Sequence, residues 1–267
     1  MAVIAMFGTA IAAAPPPPDK GVVGPAGNFT PKPAPGDAAS PASPPPPVPL
    51  SRDQAEDLLG KESNIQQISP GKLKIGLITL DQTARSIRFP ATVNMTKGPV
   101  EYAIVTDQGK VHESVFVTKT SIRDIHMAML LLGVKPGEPK SVQGQALVVP
   151  AGAAVNATVE WETNGPLASH PLTSMIALVD GDPDQPITRT LKNGTWFYKG
   201  SCYDANGFRA VREGSVVALI GDEGALLFHP GIERENDDIH VPNATLLPKQ
   251  GMPVSIVLTC VPKPKSE

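Results

Sequence analysis

Fourteen prolines fall between Pro15 and Pro49, in runs such as Pro15-Pro16-Pro17-Pro18 and Pro44-Pro45-Pro46-Pro47. Proline lacks the N–H that helices and sheets need and holds φ near the polyproline II value, so this stretch cannot join a packed core. It reads as a semi-rigid, disordered spacer. Whatever folds in this 267-residue chain lies beyond it. The composition places a Pro-rich linker over residues 15–69, with a short helix over 51–59 capped by Ser51. A domain follows over residues 70–262, with a tail at 263–267. Roughly 200 residues suffice to bury about 70% of the surface of the unfolded chain.

Ahead of the prolines, Ala2 to Ala14 are almost all apolar. The stretch has the length of a signal-peptide core and is too short to span a bilayer. With Ala10-Ile11-Ala12 as a small-x-small cleavage site, residues 1–14 read as a signal peptide, and the mature chain is expected to lack a membrane span. The expected Lys or Arg before the apolar stretch is missing, and no cysteine precedes Cys202, which argues against a lipid anchor. Export would put Cys202 and Cys260, the two cysteines, in an oxidising compartment. A bridge between them would stabilise by roughly 4 kcal/mol, the alternative being two buried thiols. A net charge of −3 without a basic cluster excludes nucleic acid as a partner.

Beyond residue 70 the pattern is strand-like. Leu73 to Leu80, Ser86 to Phe89, Ala146 to Val149, Val155 to Glu162, Thr195 to Lys199, Phe208 to Val211, Ser215 to Ile220 and Val254 to Leu258 alternate or run apolar. Pro90 is expected to weaken pairing at the end of its strand. Val100 to Thr106 and Val111 to Thr118 flank Asp107-Gln108-Gly109-Lys110 and read as an antiparallel hairpin. Ser121 opens one apolar helix, about 121–132, which Gly133 ends. The expected fold is α+β, a mainly antiparallel β domain with that helix buried.

The hairpin register would place Ile104 opposite Glu113, setting Glu113 on the apolar face with Val111, Val115 and Val117. A carboxylate there must pair, bind a metal or keep its proton. His126 falls between Ile122 and Met129 on the buried helix face, so a Glu113–His126 contact would satisfy both. Asp237, Asp238 and His240 offer oxygen and imidazole ligands for a divalent metal. Trp196 and Tyr198 share one strand face and form either core or an exposed ligand platform. His229 before Pro230 and His170 before Pro171 read as loop residues. Asp180 to Asp184 begin like a calcium loop, but Gln185 and Leu191 stand where glycine and glutamate belong, so they read as a turn. Asn-x-Thr tripeptides begin at Asn28, Asn94, Asn156, Asn193 and Asn243, which would be glycosylation acceptors in a secreted eukaryotic protein and otherwise are turn and strand-end residues. The motifs of the common serine hydrolases, zinc proteases, NTPases and dehydrogenases are absent from the sequence.

The segment Gly109-Lys110-Val111-His112-Glu113-Ser114, followed by Asp124-Ile125-His126 and Leu130-Leu131-Leu132-Gly133, resembles the YdjY-domain family of exported bacterial proteins. The resemblance continues through Trp196 to Ser201, Glu213 to Ile220 and Asp237 to His240, covering about residues 70 to 262. It implies a periplasmic or extracellular location and names no reaction. Some members are described with a four-cysteine ferredoxin-type segment. Two cysteines cannot ligate such a cluster, so no iron–sulfur centre is expected. The reading that follows is a non-catalytic binding or accessory module on a proline spacer, facing a protein, a surface polymer or a small ligand. The alternatives are a metal-dependent enzyme using Glu113, His126, Asp238 and His240, and a structural envelope protein.

Overall fold

The computed structural model describes residues 65–262 apart from 139, 141–143, 151, 180–188 and 192–193. The expected signal peptide, nearly all of the linker with its helix at 51–59, the Asp180–Asp184 turn and the tail lie outside the described residues.

Chain order begins with β1 (Ile65–Ser69), β2 (Lys72–Ile75), β3 (Ile78–Asp81), β4 (Ser86–Val93), β5 (Tyr102–Thr106) and β6 (Ser114–Thr118), followed by helix α1 (Ile122–Leu131). Then come β7 (Ala154–Trp161), β8 (Ala168–Pro171), β9 (Ile176–Leu178), β10 (Arg189–Thr190), β11 (Thr195–Tyr198), β12 (Tyr203–Asp204) and β13 (Gly207–Phe208). A short helix α2 (Arg209–Glu213) leads to β14 (Ser215–Ala218), β15 (Leu227–Phe228), β16 (His240–Pro242) and β17 (Pro253–Cys260).

Eight strands close into a barrel in the order β4-β17-β7-β11-β15-β14-β5-β6, and β6 returns to pair with β4. The protein is therefore mainly β, and the expected α+β class is corrected. Alternation along the chain reveals strands, whereas closure depends on the long-range β4–β6 pairing, which no local pattern encodes. Ile87, Phe89 and Ala91 of β4, with Ile256 and Leu258 of β17 and Val159 of β7, point into the core, and their neighbours face out. Strands β1 to β3 extend the sheet beyond β4, and β9, β10 and β16 form a separate three-stranded sheet. The first strand among the described residues, β1, starts at Ile65.

Several local readings change. The single strand expected over Leu73 to Leu80 breaks at Gly76, whose φ of 54° turns the chain between β2 and β3. A Cβ there would run into the Asp124 carboxylate of α1. Strand β4 continues through Pro90. On that edge β3 pairs only as far as Arg88 and β6 begins at Thr92, so the proline sits at the gap between partners. Ala146 to Val149 form no strand beyond one bridge at Val148, and Phe208 runs straight into α2.

The hairpin is the largest correction. Strands β5 and β6 are parallel, with Tyr102 beside Ser114 and Ile104 beside Phe116. The chain turns at Gly109 as expected, then turns again through a 3-10 turn at Val111–Glu113. The Asn94 side chain holds this second reversal by donating to the carbonyls of Val111 (2.6 Å) and Ser114 (2.8 Å). That long-range donor is invisible to a local hairpin rule.

Helix α1 forms much as read. The Ser121 hydroxyl accepts from the Asp124 N–H at 3.4 Å, and Gly133 (φ 77°) closes the C-terminus. Leu130 and Leu131 are exposed, however, so the helix is buried on one side only.

Candidate functional site

An open concavity lies on the outer face of β4, β17 and β7. Because inward and outward residues alternate, Arg88, Pro90, Ser255 and Glu160 face away from the core, and the register aligns Pro90, Ser255 and Glu160 across the three strands. Arg88 reaches over β17 to Glu160, with nitrogen and oxygen 2.6 Å apart. The β7–β8 turn makes one wall. Its Thr163 hydroxyl donates to the Pro166 carbonyl (2.8 Å) and accepts from the Gly165 N–H (3.1 Å). The turn before β17 makes the other, held to β4 by the Gly251 N–H on the Val93 carbonyl (2.8 Å) and the Val93 N–H on the Met252 carbonyl (3.0 Å).

Between these walls is an open groove of about 1180 Å³. Trp161, half-buried at the end of β7, lines it. The indole stacks on His170 of β8 with centroids 5.2 Å apart and planes at 22°. That contact fixes the ring plane. The charged lining residues are Arg88, Lys249, Glu160 and Glu162, two of each sign.

A second cluster is sealed inside. His240 and His229 are both fully buried, as is Trp196, whose ring meets His229 edge-on at 5.6 Å. Among the described residues, neither ring nitrogen of His240 has a hydrogen-bond partner. Burial, and then the neighbouring His229, lower its basicity to a pKa of about 4, and Glu233 and Asp237 oppose that only in part. Gly231 separates Glu233 from His229, and a Cβ on it would run into both side chains. Arg234, also buried, pins the loop by donating to the carbonyls of Gly231 (2.8 Å) and Gln145 (3.0 Å).

The residues expected to converge are dispersed. Glu113 sits in the 3-10 turn with its side chain 31% exposed, 3.5 Å from Lys110 and 3.4 Å from His112. Its expected apolar face came from the antiparallel register that the parallel pairing replaces. His126 instead meets the Tyr198 hydroxyl, 2.7 Å from Nδ1, and burial lowers its pKa to about 4. Burial likewise raises the Tyr198 phenol. Asp237 and Asp238 are exposed near His240 in sequence, and only Asp237 contributes to its electrostatics. Among the described residues, no three His, Cys, Asp or Glu side chains are placed to hold a metal ion.

Trp196 and Tyr198 are fully buried, which corrects the exposed-platform reading, because both faces of β11 are covered. Cys202 and Cys260 are free thiols, so the expected bridge is not formed. Cys202 is directed at the Glu223 carbonyl (3.9 Å), and Cys260 is buried on β17 beside Arg85.

Sequence reasoning missed Arg88, Glu160 and Trp161 as a group. The available signal was the polar outward positions of β7, ending in an aromatic residue flanked by Glu160 and Glu162. A sequence profile of the YdjY domain matches residues 78–259. No curated protein and no solved structure matches the chain.

Proposed function

Taking as premise that the chain belongs to the YdjY domain family, we propose that it is an exported, non-catalytic binding module whose groove across β4, β17 and β7 receives an extended ligand. The open groove with Trp161 in its lining is the observation that carries this reading. Its walls are internally hydrogen-bonded turns, so little ordering is needed on binding. Its ionic residues support recognition better than chemistry, since Arg88 and Glu160 neutralise each other. The apolar segment before the prolines and the proline spacer support export.

Hydrogen exchange on the full chain, with and without soluble bacterial envelope extract, tests the reading. Binding predicts slowed exchange confined to residues 160–167 and 247–255, abolished in Trp161→Ala. Protection elsewhere, or none, sinks the groove as the binding site. Cell fractionation tests export separately, and retention in the cytoplasm would overturn it.

A further inference from the structure

We propose that the occupant of the groove is a neutral oligosaccharide chain, stacked on Trp161; this deepens the binding-module reading and rests on it. The first argument is charge. Arg88 and Lys249 share the lining with Glu160 and Glu162, and Arg88 is ion-paired to Glu160 at 2.6 Å, so the charges balance. Neither a polyanion nor a polycation finds an excess of opposite charge there. A neutral polymer has nothing to be repelled by.

The second argument sets sugars against peptides. An extended peptide binds by adding to an open sheet edge or by seating prolines between aromatic ridges. The edge beside the groove is the four-residue β8, which among the described residues pairs with β7 alone. Pro166 precedes it and Pro171 ends it, and neither has an N–H to give. Pro90, Pro248 and Pro253 remove further backbone donors from the lining. Trp161 is the one aromatic side chain in that lining, so there is no second ridge.

A sugar ring needs what remains. It takes one fixed aromatic plane for its C–H face and planar side-chain amide, carboxylate and guanidinium groups for its hydroxyls. Trp161, stacked on His170 and packed in part against the core, offers the surface it leaves to the groove as that plane, and Asn164, Glu162, Arg88 and Ser255 share the lining with it.

The protein has two tryptophans, Trp161 and the fully buried Trp196, so emission separates groove from core. The full chain is titrated with cello-, malto- and chito-oligosaccharides, with polygalacturonate and chitosan fragments, and with a proline-rich peptide. The expected result is a saturable emission change with one or more neutral oligosaccharides, lost in Trp161→Phe emission. In Trp161→Ala, affinity measured by calorimetry should fall roughly tenfold or more. Asn164→Ala, which removes hydrogen bonds and no packed ring, should weaken binding at an unchanged unfolding midpoint. That variant keeps the test valid if Trp161→Ala folds poorly. Tighter binding of either charged fragment overturns neutrality. A response to the peptide alone overturns the sugar and leaves the groove as the binding site. No response to any probe, with groove protection by envelope extract intact, overturns the sugar alone. Loss of both overturns the two readings together.

Discussion

The outer groove and the buried histidine cluster use polar groups in opposite ways. In the groove, half-exposed Arg88 is ion-paired to Glu160, so a ligand meets charges that already offset each other. In the cluster, His240 is fully buried with neither ring nitrogen bonded among the described residues. The first arrangement costs little to maintain and leaves surface for recognition. The second stores a penalty, because an unmade hydrogen bond on a buried group costs about 1–3 kcal/mol. Substitutions should therefore separate cleanly. Changes in the cluster act on stability and changes in the groove act on binding.

Acid is the strongest way to test the buried side. His240 and His126 are both held near pKa 4, against 6.5 in an unfolded chain, so the native state keeps them neutral. Between those values the unfolded chain binds the proton first. Stability is complete above pH 6.5 and is lost as pH falls through 4, by about 3 kcal/mol for each histidine. Urea unfolding from pH 7 to pH 4 measures the slope. His240→Leu should remove about half of it and leave stability at pH 7 unchanged or raised by about 1 kcal/mol. An unaltered slope would mean that His240 is not held neutral by the fold.

Gly231→Ala comes next. The backbone there has φ −64°, which alanine tolerates, so any cost comes from the methyl group against Glu233 and the His229 ring. Glu233 can swing away and the buried His229 ring cannot, which predicts a loss of about 1–3 kcal/mol. The unfolding midpoint measures it, and ligand affinity should not move. Reduced affinity at unchanged stability would mean that the two regions are coupled.

The two regions were also unequally legible. Local chemistry was read well where it decides the structure locally, as at Ser121, Gly133 and the alternation of Val155, Ala157 and Val159. It failed at the Gln108-Gly109 turn, because the chain reverses again at Val111–Glu113, where Asn94 of the β4–β5 connection donates to the Val111 and Ser114 carbonyls. The same failure removed Glu113 from its expected face. His240, whose imidazole the sequence offers as a metal ligand, is a buried side chain, and His229, which reads as a loop residue before Pro230, is its neighbour in the core. The groove went unseen because β4, β17 and β7 are neighbours in the sheet but lie far apart in the sequence.

The smallest expected effect sharpens the comparison most. Arg88 is 46% exposed and Glu160 is 14% exposed, so their attraction is screened on one side and partly desolvated on the other. A double-mutant cycle with Arg88→Ala and Glu160→Ala should give a coupling energy below about 1 kcal/mol in unfolding. In ligand binding each single change should count, because it leaves an uncompensated charge in a groove that is otherwise balanced. The double variant restores that balance and should bind better than either single variant. A coupling of several kcal/mol in unfolding would make the pair a brace for β4 and β7. The groove would then resemble the histidine cluster, a place where polar chemistry serves the fold, and Trp161 alone would carry the recognition surface.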